Sequence, residues 1–290
     1  MKIAILGTTL QAGVLAALLA EYGNQVYWCY QHSHLSTTSI NIQYQDEEVN
    51  RRLSKQREAK MLLQSTLVDL PLDIDTYLFC YNPAEFKLAL NTLKELALRP
   101  IIHPKLMVNG STFGLHGTDK LKAILPNDDW VYFPDVIQEG NAINSVLNVK
   151  HVIIGAETEA AKLMMEELLR PFFRYQNQYL FMPILDAEFT KLSISGMLAT
   201  RISYMNDLAL VAEKLGIDIA NVRQGMGADT RIGSAYLSAG AGFGGENFSH
   251  DILTLSSEVS KTGAKSRLLQ QVWEINEQQK EILFRKLWNY

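Results

Sequence analysis

Residues Lys2 to Gly7 form a short apolar run closed by a glycine, the pattern of a strand buried on both faces of a parallel sheet. Val14, Leu15, Leu18 and Leu19 follow at helical spacing between Gln11 and Tyr22, and Gly23 stands where such a helix would stop. Gln25 to Tyr30 is a second strand, so the chain opens with a strand–helix–strand unit of roughly thirty residues. Between His32 and Ser65 the pattern is poor: Ser39 to Tyr44 alternates like an extra edge strand, and Asp46 to Met61 reads as a solvated helix. No function is assigned to this segment. Strands are then expected at Thr76–Cys80, Lys105–Asn109, Trp130–Phe133 and Val149–Ile154, with helices at Ala84–Leu98 and Glu157–Arg170. This alternation predicts a Rossmann-like α/β domain, a doubly wound parallel sheet, over residues 1–180.

Beyond Pro183 the strand pattern ends. Asp186 is placed to cap a helix that reaches Leu215, interrupted only by Gly196, longer than most globular helices and suited to joining two subunits. Shorter helices are expected at Ala220–Gly225 and Ile252–Ser260, and a long one at Ser266–Trp288. Residues 181–290 are therefore expected to form an all-α dimerisation domain, with a homodimer built on the helix that starts near Asp186.

Composition narrows the function classes. With 27 basic and 31 acidic side chains the net charge is −4, which speaks against a nucleic-acid backbone binder. A hydrophobic share of 47% supports real cores, and the 20% charged fraction excludes a long disordered chain. The two cysteines, Cys29 and Cys80, lie in apolar runs, so no disulfide framework is expected and the compartment reads as reducing. Gly7-Thr8-Thr9 and Gln11 break the opening apolar stretch, which argues against a signal peptide, and no segment has the ~20 apolar residues of a membrane span. A cytoplasmic protein without nucleic-acid or membrane partners is expected. The six histidines are scattered, so no metal site is expected.

Four stretches could carry chemistry. The turn Gly7-Thr8-Thr9-Leu10-Gln11-Ala12 has only the first glycine of a dinucleotide-binding turn; Thr9 puts a β-branched side chain near the phosphate position, and Ala12 tolerates close packing. Tyr30 stands where a carboxylate would hold the ribose, and no arginine follows it to take a 2′-phosphate. A working NAD or NADP site and a purely structural turn both remain open, with Gly7, Thr8, Thr9, Leu10, Tyr30 and Tyr81 as its residues. Asp135 and Glu139, four apart, would share one face of a helical turn and hold a water, unless they are only a solvated helix start. Lys191 and Ser195 share a face of the long helix, where a lysine stabilises a developing alkoxide or merely packs its stem. The glycines from Gly240 to Gly245 fit a backbone folded closely around a ligand or a plain flexible loop.

In order and spacing these pieces resemble the UDP-glucose/GDP-mannose dehydrogenase family, from Met1 to about Leu255. The resemblance is carried by the opening strand and Gly7, Ser111-Thr112, Phe133-Pro134-Asp135, Glu139-Gly140-Asn141-Ala142, Glu188 and Lys191, the stretch Leu198 to Ala209, Asp229 to Gly233, Ala239 to Gly245, Phe248 and Asp251. It implies that Thr112, Glu139 and Asp251 position water and a polar network, that Lys191 stabilises the oxyanion, and that Arg231, with Phe243, Gly244 and Gly245, serves the sugar site, Arg231 that of a neighbouring subunit. Asp135 replaces a glutamate of the family.

The family oxidises a sugar alcohol to an acid in two hydride steps through a cysteine-bound thioester. The position of that cysteine is Asn247, which carries no nucleophile. Ser195 stands for an asparagine and His250 for a lysine, the cofactor turn is eroded, and the chain reaches only Tyr290, where the family continues into a third domain. The resemblance thus implies a divergent, truncated member that makes no uronic acid. It is either a non-catalytic homologue or an NAD(P)-dependent two-electron oxidoreductase acting on an alcohol or carbonyl through Lys191.

Overall fold

The computed structural model describes residues 1–29, 42–100, 105–264 and 267–288. The chain divides into two compact units, Met1–Glu188 and Phe189–Tyr290.

In chain order the first unit contains β1 (Lys2–Leu6), α1 (Leu10–Glu21), β2 (Gln25–Cys29), α2 (Glu47–Glu58), β3 (Leu62–Ser65), β4 (Thr76–Phe79), α3 (Phe86–Ala97), β5 (Leu106–Asn109), α4 (Gly117–Lys122), β6 (Asp129–Tyr132), α5 (Ala142–Leu147), β7 (Val152–Ala156), α6 (Glu159–Leu169) and β8 (Tyr179–Met182). The strands form one sheet in the order β3-β2-β1-β4-β5-β6-β7-β8. The chain order reverses between β1 and β4, the switch point at which open α/β sheets place their ligands. Alternate residues of the strands feed opposite cores. Ile3, Ile5, Trp28, Leu78 and Val108 pack with α1, while Ala4, Leu6, Tyr77, Phe79 and Met107 pack with Ala89, Leu93 and Leu96 of α3. Helices therefore cover both faces, as the apolar runs predict.

The structure corrects several expectations. β7 pairs antiparallel with β6, whereas the other neighbours are parallel, so the sheet is mixed. The expected edge strand at Ser39–Tyr44 is not one in its described part, because Ile42 to Tyr44 is irregular; Tyr44 exchanges hydrogen bonds with the Asn50 side chain instead of with a strand. The edge beside β2 is β3. Residues 30–41, with Tyr30, lie outside the described residues.

The second unit is helical: most of α7 (Ile184–Leu215), then α8 (Ile219–Ala228), α9 (Glu246–Lys261) and α10 (Leu268–Trp288). Asp186 does not cap α7, which already starts at Ile184, directly after Pro183; it lies in the first turn, where a carboxylate suits the helix dipole. Gly196 has a packing reason, since a Cβ there would come 3.0 Å from Leu255 of α9 and 3.3 Å from Leu269 of α10. Ala199, Phe243, Ile252 and Val272 form this unit's core. No helix of the described residues is long and apolar enough to cross a membrane.

Candidate functional site

The Rossmann turn joins β1 to α1 beside the switch point of the sheet. Gly7 adopts φ +110°, and a Cβ there would come 2.1 Å from the carbonyl oxygen of Cys80, so this glycine is required by the fold itself. Thr9 is the N-cap of α1: its Oγ1 accepts the Ala12 N–H at 3.3 Å. The Tyr44 hydroxyl lies 3.1 Å from the carbonyl oxygen of Thr8 and 3.0 Å from that of Thr9, and Trp28 Nε1 donates to the Gly7 carbonyl at 2.9 Å. Gln11 is buried and donates to the Phe133 carbonyl at 3.2 Å, fixing the start of α1 to the end of β6. Leu10 is half-buried. The Tyr81 amide donates to Ser111 Oγ and its phenol to Thr92 Oγ1 on α3, so its hydroxyl is engaged away from the turn. Burial raises the pKa of the Tyr44 and Tyr81 phenols.

Of the carboxylates expected to share a helical face, Asp135 and Glu139 do not. Residues 133–138 are irregular; Asp135 Oδ1 accepts the Ile137 N–H at 3.0 Å, a local turn that Pro134 favours over helix, and Glu139 is exposed. Thr112 is buried in the loop after β5.

A buried carboxyl that spacing does not reveal closes this unit. Glu188, 3% exposed, accepts the Thr118 N–H at 2.8 Å and the Thr118 hydroxyl at 2.7 Å through Oε1, capping α4, while Oε2 is buried with no partner among the described residues. Burial pushes its pKa above the usual carboxylate value. The folded chain therefore holds this proton more tightly than the unfolded chain. The associated stability is complete below the ordinary glutamate pKa of about 4.3 and is lost as the pH rises through the raised value. Thermal melts across that range should show Glu188→Gln with a flatter decline than the wild type; parallel profiles would show that the carboxyl does not titrate as described.

The second unit brings three predicted groups together. Ser195 Oγ donates to Asp251 Oδ2 at 2.7 Å, and Lys191 Nζ lies 3.2 Å from the same oxygen and 3.5 Å from Ser195 Oγ. The Asp251 side chain is 2% exposed and that of Lys191 15%, so the ion pair is largely withdrawn from water, where a fixed ammonium acts strongly on any developing oxyanion. Asp251 Oδ1 is buried without a partner among the described residues. Asn247 lies one helical turn before Asp251 on α9 and is exposed.

The glycine-rich loop before α9 is held from two helices. Asn206 of α7 accepts the Gly240 N–H at 2.8 Å, and Gln279 of α10 donates to the Gly240 carbonyl at 2.8 Å. Asn276 of α10 accepts the Phe243 N–H at 2.7 Å and donates to the Phe243 carbonyl at 3.1 Å. Phe243 is buried against Phe248 and Trp273, whereas Gly244 and Gly245 are exposed. Arg231 projects into solvent in a two-point ion pair with Asp229, and Arg201 holds the same turn through the Gly233 carbonyl. Sequence reasoning misses Asn206, Asn276 and Gln279, since polar residues within helices read as surface positions. No group of three or more histidine, cysteine, aspartate or glutamate side chains suited to a metal occurs among the described residues.

Residues 185–278 match the family model for the UDP-glucose/GDP-mannose dehydrogenase family, central domain. The chain is 39% identical over 155 residues to UDP-glucose 6-dehydrogenase of Pseudomonas aeruginosa, covering 53% of this chain and 34% of that protein. It is 34% identical over 196 residues to UDP-glucose 6-dehydrogenase TuaD of Bacillus subtilis, covering 63% and 41%. The matches thus span about two fifths of these relatives' length or less. Among solved structures, UDP-D-ManNAc dehydrogenase from Pyrococcus horikoshii superposes with a TM-score of 0.83 at 20% identity, over 100% of this chain and 71% of that one. UDP-glucose dehydrogenase from Pyrobaculum islandicum gives 0.80 at 20% identity, over 95% and 68%. At that identity the structures speak to the fold.

Proposed function

Since the chain belongs to the UDP-glucose/GDP-mannose dehydrogenase family, we propose that it is a non-catalytic homologue of the nucleotide-sugar dehydrogenases, a cytoplasmic homodimer that cannot perform cysteine-dependent oxidation to a uronic acid. The observation that carries this reading is Asn247. By the resemblance it stands where the family carries its thiolate, it lies one turn before Asp251 on α9, and an amide forms neither a thiohemiacetal nor a thioester. The free thiols offer no substitute. Cys29 and Cys80 both belong to the first unit and are buried, and burial pushes the Cys29 thiol up to about 12 and raises that of Cys80 as well. The homodimer is supported by α7, where Met197, Tyr204 and Val211 repeat every seven residues and, with Ile194 and Leu215, leave an exposed apolar stripe suited to a second copy.

Purified protein that scatters light as a dimer should produce no reduced cofactor and no carboxylate from UDP-glucose with NAD+ or NADP+. Formation of the uronic acid would sink the reading.

One observation favours a second reading. Lys191, Ser195 and Asp251 form an intact, largely buried cluster, as a two-electron oxidoreductase using Lys191 toward an alcohol or carbonyl would need. Turnover of some alcohol or carbonyl that Lys191→Ala abolishes would select it over the first.

A further inference from the structure

In a dinucleotide-binding turn the N–H groups at the helix start face the pyrophosphate, and glycine at the third position of the motif lets the backbone approach it. That position is Thr9, and its side chain does what a phosphate oxygen would do: Oγ1 accepts the Ala12 N–H at the first turn of α1. The cap also places the threonine Cβ and methyl group at the helix start, and Thr9 is only 9% exposed. The backbone beneath it is tied down as well. The Tyr44 hydroxyl sits within hydrogen-bonding distance of the Thr8 and Thr9 carbonyls, and Trp28 Nε1 holds that of Gly7, so three successive carbonyls of the turn are engaged by side chains of the same unit.

Gly13 reports on the same arrangement. Inside a helix, glycine is destabilising relative to alanine. Yet a Cβ at Gly13 would come 2.3 Å from the Tyr44 ring, so this glycine makes room for the tyrosine rather than for a ligand. The residues present do not fit a dinucleotide pyrophosphate.

We propose that Thr9 is the residue that excludes NAD(P) from this turn, its hydroxyl standing in for a phosphate oxygen at the start of α1 while Tyr44 locks the backbone that carries it. This deepens the non-catalytic reading and rests on it for its biological sense, but not for its test.

The test is NADH fluorescence titration of the full chain and its Thr9→Gly and Thr9→Ser variants. Glycine is nearly as good an N-cap as threonine, so Thr9→Gly should fold, which far-UV circular dichroism checks. It opens the approach and is expected to bind NADH at least tenfold more tightly than the wild type. Thr9→Ser keeps the cap oxygen and should stay within about threefold of the wild type. Equal NADH affinity for the wild type and a folded Thr9→Gly variant, whether tight or undetectable, overturns the proposal, and so does tight binding by Thr9→Ser. The readout is a ratio of affinities and not turnover, so uronate formation by the wild type would sink the function proposed above without deciding this ratio.

Discussion

Alanine in place of Gly7 should lower the stability of the Rossmann unit by about 4 kcal/mol, from one strained positive-φ position and one backbone overlap of 1–3 kcal/mol each. Gly7 sits at φ +110°, where an added Cβ would lie 2.1 Å from the Cys80 carbonyl oxygen and 2.6 Å from its carbon. Neither atom can retreat. Cys80 continues β4, which lies between β1 and β5, and its own N–H donates to the Leu6 carbonyl at 2.8 Å. At roughly 2–4 °C per kcal/mol for a unit of this size, the midpoint of its thermal transition should fall by about 10 °C. Gly23 provides the control, since it has φ +90° but nothing within 4 Å of the same added atom. Gly23→Ala should therefore cost only the backbone strain, about 1 kcal/mol. Circular dichroism melts of the two variants compare them directly, and equal losses would mean that Gly7 and Cys80, at the ends of the paired strands β1 and β4, approach less closely than described. This glycine is needed whether or not a ligand binds, so its presence in the motif is no evidence of a cofactor.

That distinction explains how much of the molecule is legible in the sequence. β1, β2, β4 and β5 are read correctly because strands buried on both faces must be continuously apolar. β3 escapes because it is an edge strand, with Gln64 and Leu63 exposed and no alternation to betray it. β8 escapes for the same reason: Tyr179 to Met182 forms the opposite edge of the sheet, is only partly buried and shows no clean alternation. The antiparallel join of β6 and β7 leaves no trace in hydrophobic periodicity, which records burial and not direction. At the candidate site, helical spacing correctly pairs Lys191 with Ser195, but the same spacing misleads at Asp135 and Glu139, where the chain follows the local turn after Pro134. Asp251 lies 56 residues from Ser195, and only the family resemblance points to it. Tyr44 is a lone tyrosine in a weakly patterned stretch, and its contact with Gly13 is formed by tertiary packing alone.

Asn276→Ala should have the second large effect, about 3–5 kcal/mol, located in the helical unit. The asparagine is fully buried and satisfies both backbone groups of Phe243, accepting from its N–H and donating to its carbonyl. Alanine would strand two buried backbone groups, each costing roughly 1–3 kcal/mol, and leave a cavity beneath the loop. Aspartate is no remedy, because an acceptor would face the Phe243 carbonyl and a charge would be buried without a partner. Gln279→Ala, which removes a single bond to Gly240 from a side chain closer to solvent, should cost only about 1 kcal/mol. Hydrogen exchange should locate the damage: the Phe243 amide should lose its protection in Asn276→Ala and keep it in Gln279→Ala. Unchanged protection in both would mean that the loop is shaped by its glycines and not by α10. If protection is lost as expected, the segment leading to Asn247 depends on a buried amide 29 residues downstream of that position. The loop's geometry would then be set by core packing from α7 and α10, so its shape does not depend on which side chain stands at position 247.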